Sequence, residues 1–358
     1  MKIGMMTPWN TNSGPSTCAE LIGREWIKAG HDLTVFSHDG SATSDGIVIQ
    51  EDEPFVVRCF GTSYWKHRDW LDAAPLLRSR HELFLVQHLS IMPLRQLLEV
   101  FPEIRDKSKT VLVIHENRLP SDLLFYRFSW DSIVCFDERY KAFLVKRFSP
   151  SKIHVIPFPY HPIMLGDNIG SRLELGLPLE ERIVLFFGYS LWRDVPVLPF
   201  LAELGEKYPI HVLALSTDEP SLEQLKTASR GLDLSIEIRR EAPPLSQLYK
   251  YLHASDVLVK HVDEEWKEDV VLLSSTVQLC LGSGCPMVIS DAKIFEKYDR
   301  QVLKYHVSDP EDFKACLVTV FEEKQELLEL REAVRECIER DSAQVVAEKY
   351  IKLFKSLQ

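Results

Sequence analysis

Residues 1–37 read MKIGMMTPWNTNSGPSTCAELIGREWIKAGHDLTVFS, and this stretch decides the fold class. Met1 to Met6 is a short apolar strand. Thr7 to Ser16 is turn-rich, with Pro8, Asn10, Asn12, Gly14 and Pro15. From Thr17 to Ala29 the apolar residues Leu21, Ile22 and Trp26 recur at helical spacing, and Gly30 supplies a stop. Asp32 to Ser37 is a second strand. Strand, helix and strand in this order predict a parallel pair joined by a right-handed crossover.

The alternation continues downstream. LFLVQH (Leu83 to His88), TVLVIH (Thr110 to His115), SIVCF (Ser132 to Phe136) and KIHVIP (Lys152 to Pro157) are short apolar runs of the kind that form strands buried on both faces. Glu138 to Phe148 is a helix between the last two. Pro157 to Gly170 is rich in Pro and Gly without periodicity and reads as a linker. A second set then opens with the strand RIVLFFG (Arg182 to Gly188) and the helix Val195 to Lys207. Further strands are HVLALS, SIEIRR, DVLVKH (Asp256 to His261) and PMVISD (Pro286 to Asp291), with helices Ser221 to Ser229 and Leu245 to Leu252 among them. The expected fold is α/β, with two Rossmann-like domains facing each other across a cleft. The domains span residues 1–165 and 166–339. A C-terminal helix within 340–358 is expected to return to the first domain through a stripe of Val345, Val346, Tyr350, Leu353 and Phe354. Lys349, Lys352 and Lys355 lie beside that stripe and leave peripheral membrane contact as a lesser possibility. In such folds ligands bind at the carboxyl ends of the strands.

Composition narrows the function classes. The 358 residues are 45% hydrophobic and 27% charged, an ordinary globular balance, and length suits two domains. The formal net charge of −11 argues against a general nucleic-acid binder, whose affinity comes from Lys and Arg on phosphates. No run of about 18 apolar residues occurs that would span a membrane. The N-terminus shows no long apolar region or cleavage pattern, so no signal peptide is expected. Seven cysteines, Cys18, Cys59, Cys135, Cys280, Cys285, Cys316 and Cys337, contain no C-x-x-C pair. They read as buried thiols of a reducing, cytoplasmic compartment, without a zinc site.

Several segments together resemble the retaining glycosyltransferases of family 4, which have the GT-B fold. The opening stretch is similar to that family's first βαβ unit, with its G-H-x-x-x-V at Gly30, His31 and Val35. WDSIVCFDERYKAFLVKRFSPSKIHVIPFPYHP resembles the end of its N-terminal domain, and LELGLPLEERIVLFFGYSLWRD the start of its donor domain. YLHASDVLVKHV, GSGCPMVISD and HVSDPEDF resemble later elements. One departure stands out. The family carries two glutamates just before its G-x-P-V-I, and alignment on Gly284 and Pro286 places Val271 and Leu279 there.

The candidate site residues combine position and resemblance. Gly14 lies in the first strand-to-helix loop, where a helix N-terminus favours an anion and the family seats the donor diphosphate; an ordinary loop glycine is the plain alternative. His115 ends a strand, and the resemblance implies that it faces the transferred sugar; a buried structural histidine is the alternative. His88, at the preceding strand end, and Asn117 are assigned to the acceptor side. Arg193 follows the first strand of the second domain, where the family places a cation for the diphosphate, the alternative being a surface arginine paired with Asp194. Lys260 ends a buried strand and offers a second cation, or a salt bridge to Asp263, Glu264 or Glu265. Ser274, Ser275 and Thr276 precede an apolar helix and offer hydroxyls and free N–H groups to a phosphate, the alternative being a helix cap. In place of the absent glutamates Glu268 is the acid assigned to catalysis, although the run Asp263 to Asp269 also reads as a solvated loop.

The expected function is therefore sugar transfer from a nucleotide-diphosphate donor to a saccharide, lipid-linked or small-molecule acceptor, as in polysaccharide biosynthesis. The resemblance implies retention, no obligatory metal and no cofactor beyond the donor. The alternatives are a non-catalytic binding or partner protein of the same fold, supported by the absent glutamates, and another nucleotide-sugar enzyme such as an epimerase.

Overall fold

The computed structural model describes residues 1–40, 47–62, 69–263 and 270–358. The chain divides into two compact units. The first runs from Met1 to Pro159 and includes Val270, Val271 and the C-terminal stretch from Asp341. The second holds the rest, from Tyr160 to Arg340.

The first unit contains β1 (Lys2–Met6), β2 (Asp32–His38), β3 (Val56–Gly61), β4 (Trp70–Leu71), β5 (Leu83–Gln87), β6 (Lys109–Val113), β7 (Ser132–Cys135) and β8 (Ile153–Val155). They form one sheet in the order β4-β3-β2-β1-β5-β6-β7-β8, parallel except for the β3–β4 pair. The strand order reverses direction between β1 and β5, the switch point at which such sheets bind ligands.

The opening βαβ unit forms as its sequence dictates, with one shift. The first helix is Gly14–Lys28 and begins before Thr17. Ser13 caps it by accepting the Ser16 N–H, and Pro15, whose fixed φ suits a first turn, belongs to the helix and not to the loop. β3, β4 and the helix Leu94–Lys107 carry no counterpart in the sequence reading. β3 holds Arg58 amid its apolar residues and lies towards the sheet edge, and the helix contains Pro102, so both patterns are interrupted.

The C-terminal helix is Ala343–Leu357 and packs on the first helix of the same unit. The Trp26 Nε1–H donates to the Ala347 carbonyl at 3.1 Å, and the Trp26 ring lies 5.8 Å from that of Tyr350 and 5.5 Å from that of Phe354. Val346, Tyr350, Leu353 and Phe354 are buried in this contact, so the apolar stripe is covered and not offered to a bilayer. Lys349 pairs with Asp341 at 2.9 Å. Among the described residues no helix is long and apolar enough to cross a membrane.

The second unit contains β9 (Arg182–Phe187), β10 (Ile210–Leu215), β11 (Ser235–Arg239), β12 (Val257–Lys260), β13 (Met287–Ser290) and β14 (Leu303–Tyr305). All pairings are parallel, in the order β11-β10-β9-β12-β13-β14. Alternation sorts their residues between two cores. Ile183, Leu185, Leu213, Leu215 and Leu258 enter one cluster, whereas Val184, Phe186, Val212, Ala214, Val257 and Val259 enter another. Successive side chains point to opposite faces, and helices cover both, so the central strands β9, β10, β12 and β13 carry apolar residues on both faces. Between β9 and β10 the expected single helix begins as a 3-10 turn, Leu191–Val197, and turns α-helical only over Leu198–Gly205. Pro196 and Pro199 lack the N–H that an uninterrupted helix needs.

The boundary between the two units falls inside the Pro- and Gly-rich segment read as a linker, and backbone bonds tie that segment down. The His161 N–H donates to the Gln278 carbonyl at 3.2 Å and the Met164 N–H to the Gly282 carbonyl at 2.8 Å. A Cβ on Gly282 would stand 2.4 Å from the Pro162 oxygen, so only glycine lets the two backbones approach. Asp167 then caps the helix Asn168–Leu175, which closes at the left-handed Gly176.

Candidate functional site

In the first unit the candidates gather at the carboxyl ends of β5 and β6. His115 stands two residues past β6. Its ring lies against Phe136 at 4.8 Å and Phe158 at 6.2 Å, and stacks on His88 with centroids 5.9 Å apart. Its Nε2 is 2.9 Å from Gln87 Oε1. The Gln87 amide N–H is directed at Met5 Sδ, so the glutamine oxygen accepts and His115 Nε2 carries the proton. This leaves Nδ1 as the ring's acceptor. Burial holds the His115 pKa well below the usual histidine value, and the neighbouring His88 pushes it the same way. His88 is likewise lowered by burial, opposed by the Glu116 carboxylate.

Glu116 is the residue that the sequence reading passed over. It is 6% exposed, accepts the Ser90 N–H on Oε1 at 2.9 Å, and accepts the His115 N–H on Oε2 at 3.1 Å. One carboxylate thus ties the loop after β5 to the loop after β6. The signal was present, an acid directly after a strand-end histidine. Asn117 is exposed, and its carbonyl accepts the Val271 N–H at 2.7 Å. Gly14 occupies the first position of its helix. Ser16 N–H and Thr17 N–H are both taken by Ser13, and Pro15 has none.

In the second unit the loop after β9 leads through Gly188, at φ 133°, to Tyr189, Trp192 and Arg193. Tyr189 is 68% exposed, and the Arg193 guanidinium lies 5.0 Å from the centre of the Trp192 ring. Asp194, by contrast, is wholly buried and turns towards the end of β12. Its Oδ2 is 2.7 Å from Lys260 Nζ and its Oδ1 accepts the His261 N–H at 2.7 Å. Asp194 is therefore an ion-pair partner of Lys260, while Glu264 and Glu265, the acids that follow Asp263, lie outside the described residues. Burial raises the Asp194 pKa, and Lys260 lowers it in opposition. His261 is buried with Nδ1 2.6 Å from the Tyr305 hydroxyl, and burial lowers its pKa.

Ser274, Ser275 and Thr276 stand at the start of the helix Ser275–Cys280. Ser274 is its cap, accepting the Val277 N–H at 3.4 Å, while Ser275 and Thr276 are half-buried in the first turn. Glu268, with Glu264 and Glu265, lies outside the described residues. The positions of the absent glutamates are fixed differently. The Val271 amide is held by Asn117, and Leu279 packs against the core beneath the helix, its carbonyl accepting from the Tyr249 hydroxyl.

The structure thus brings His88, His115 and Glu116 together in the first unit, and Asp194 and Lys260 together in the second, with Arg193 on the neighbouring turn against Trp192. Two Rossmann-like α/β domains in one chain place it in the GT-B fold class. Solved structures of that class match it end to end. HepE of Anabaena, in complex with UDP and glucose, is 13% identical, with 99% of this chain and 100% of that chain covered and a TM-score of 0.72. A glycosyltransferase of Rickettsia africae ESF-5 is 12% identical over 99% of this chain and 98% of that one, with a TM-score of 0.66. The sucrose-phosphate synthase of Thermosynechococcus elongatus is 12% identical over 100% and 99%, also at 0.66. At this identity the likeness is one of fold. No protein-family model matches the chain.

Proposed function

We propose that the protein transfers a sugar from a nucleotide-diphosphate donor to an acceptor hydroxyl. The observation that carries this reading is the placement of Gly188 and Arg193 after β9 and of Lys260 at the end of the adjacent β12, the switch point of the second sheet. An open glycine turn and two cations suit a diphosphate, whose charge grows as the nucleotide departs. The exposed rings of Tyr189 and Trp192 offer stacking surfaces beside it. The UDP-glucose complex of HepE, a protein of the same fold, supports this choice of donor class.

In this reading the first unit holds the acceptor and supplies His115, whose neutral ring accepts a hydrogen bond through Nδ1 at the reacting sugar. Transfer with retention, no obligatory metal or further cofactor, a saccharide or lipid-linked acceptor and a cytoplasmic setting complete the proposal. The decisive experiment incubates the protein with common UDP-, GDP- and ADP-sugars and a mixed acceptor extract, followed by mass spectrometry. Transfer of the donor's sugar supports the reading. Absence of nucleotide binding in calorimetry with the same set sinks it.

A second reading has its own observation. With Val271 and Leu279 where the resembling family has glutamates, neither side chain offers a hydrogen bond to a sugar or ribose. A non-catalytic binding protein of this fold is then expected to bind nucleotide-diphosphate sugar without turnover in that assay.

A further inference from the structure

Charge is spread unevenly over the first unit. Residues 139–152 carry Arg139, Lys141, Lys146, Arg147 and Lys152 and no acid, in a chain whose formal net charge is −11. The short 3-10 helix Leu123–Arg127 lies against the same stretch. Aromatic rings make the contact. Phe148 lies 5.9 Å from Tyr126 and 6.5 Å from Phe125, and the Arg147 guanidinium stands 5.5 Å from the centre of the Tyr126 ring. The Tyr126 hydroxyl donates to the Pro120 carbonyl at 2.7 Å, which ties in the loop that carries Arg118.

The acids of this region are already engaged. Asp122 accepts the Leu124 N–H, and Asp131 accepts the N–H and the hydroxyl of Thr110. Asp137 pairs with Arg139 at 2.6 Å and Glu138 with Lys141 at 3.5 Å. Arg118, Arg127, Lys146 and Arg147 are exposed, and none of the four has an ion pair among the described residues. On the same two stretches Leu123 is 76% exposed and Val145 42% exposed. Either side chain alone is ordinary on a protein surface. Carried with unpaired cations, they match a surface that rests on an anionic bilayer, where cations meet lipid phosphates and apolar side chains enter between headgroups. A nucleic acid would use the cations and leave the leucine without a role.

We propose that this face of the first unit docks the protein reversibly on a bilayer containing anionic phospholipid. The proposal goes beyond the sugar transfer and does not depend on it. Co-sedimentation of the full chain with phosphatidylcholine vesicles, with and without phosphatidylglycerol, tests it. Binding is expected only where phosphatidylglycerol is present, and should fall as salt is raised. A cation near such a surface strengthens binding by about fivefold, so the double variant Arg127→Gln/Lys146→Gln should weaken it by roughly twentyfold. Leu123→Gln should weaken it several-fold. These side chains are exposed, so the melting temperature of each variant should stay near that of the parent. Absence of binding to the phosphatidylglycerol vesicles overturns the proposal, as does equal binding to the neutral ones or binding that the variants leave unchanged. Dimers in sedimentation velocity that the same substitutions break, without vesicle binding, would give the surface to a second copy of the chain and overturn it too.

Discussion

The Lys260 ammonium lies 2.7 Å from the carboxylate of Asp194, a residue with no exposed surface. The pair joins the loop after β9 to the end of β12 across the switch point of the second sheet. The buried acid also offsets the charge of Lys260. Removing one member of a buried pair leaves the other charge uncompensated. Asp194→Ala should therefore destabilise the protein by about 3–5 kcal/mol, and Lys260→Met by a comparable amount. The double variant should lose less than the sum. Urea denaturation reads all three, and additive losses would show that the two groups do not depend on each other.

Arg193 is the candidate diphosphate cation that lies outside that pair. Arg193→Ala should weaken UDP binding by about 1–3 kcal/mol, the range for losing a charge-assisted hydrogen bond. Calorimetry with the variant checks this, and unchanged affinity takes Arg193 out of the donor site.

His115 should contribute to turnover and not to donor affinity. His115→Ala is expected to keep UDP binding and to lower kcat, at some cost in stability because the ring fills space against Phe136 and Phe158. Gln87→Leu removes the group that accepts the Nε2 proton and should lower kcat in the same direction, by releasing the tautomer. A variant that loses cooperative unfolding yet keeps its specific activity would make His115 structural.

Acid should destabilise the first unit through its neutral histidines. Burial lowers the His38 pKa to about 4, Arg58 adds to the shift, and Asp39 and Asp52 oppose it. Unfolded, the same ring takes its proton near the ordinary value of about 6.5. Below that pH the unfolded state binds a proton that the folded state refuses, so stability is full above about pH 6.5 and falls as the pH drops towards about 4. For His38 alone the loss approaches about 3 kcal/mol, and His88 and His115 act in the same direction. Urea midpoints measured from pH 7 to pH 4 should fall, and His38→Asn should flatten the slope. A midpoint that holds steady over this range would contradict the burial of neutral rings.

The C-terminal helix should behave as part of the first unit's core. Trp26→Ala is expected to cost about 3–5 kcal/mol, as for other large aromatic truncations. Trp26→Phe should cost about 1 kcal/mol, mainly the lost bond to the Ala347 carbonyl. Calorimetric unfolding measures both, and a Trp26→Ala variant as stable as the parent would mean that the helix does not depend on that contact.

The fold was legible in the sequence because its signals are local. Apolar runs such as RIVLFF and IHVLAL mark strands covered on both faces, and Gly30 marks the end of the first helix before β2 completes the βαβ unit. The C-terminal helix announced itself by the stripe that ends in Leu353 and Phe354. Interrupted patterns were less readable, as Arg58 in β3 and Pro102 in its helix show. The boundary between the units falls inside the segment 157–170 that composition marked as a linker, but composition does not record the backbone bonds from His161 and Met164 that pin it.

Strand ends likewise marked where His88, His115, Arg193 and Lys260 would stand, since carboxyl ends of parallel strands are where side chains leave the sheet. The partners of those residues were decided only in three dimensions. Asp194 and Lys260 lie 66 residues apart in the chain, Gln87 and His115 28 apart, and Ser90 and Glu116 26 apart. Among the described residues Asp263 is nearer to Lys260 in sequence, yet Asp194 is the acid that pairs with it. The parallel register brings the ends of β9 and β12 side by side, and a buried carboxylate binds the cation that folding places within reach, whatever the distance along the chain.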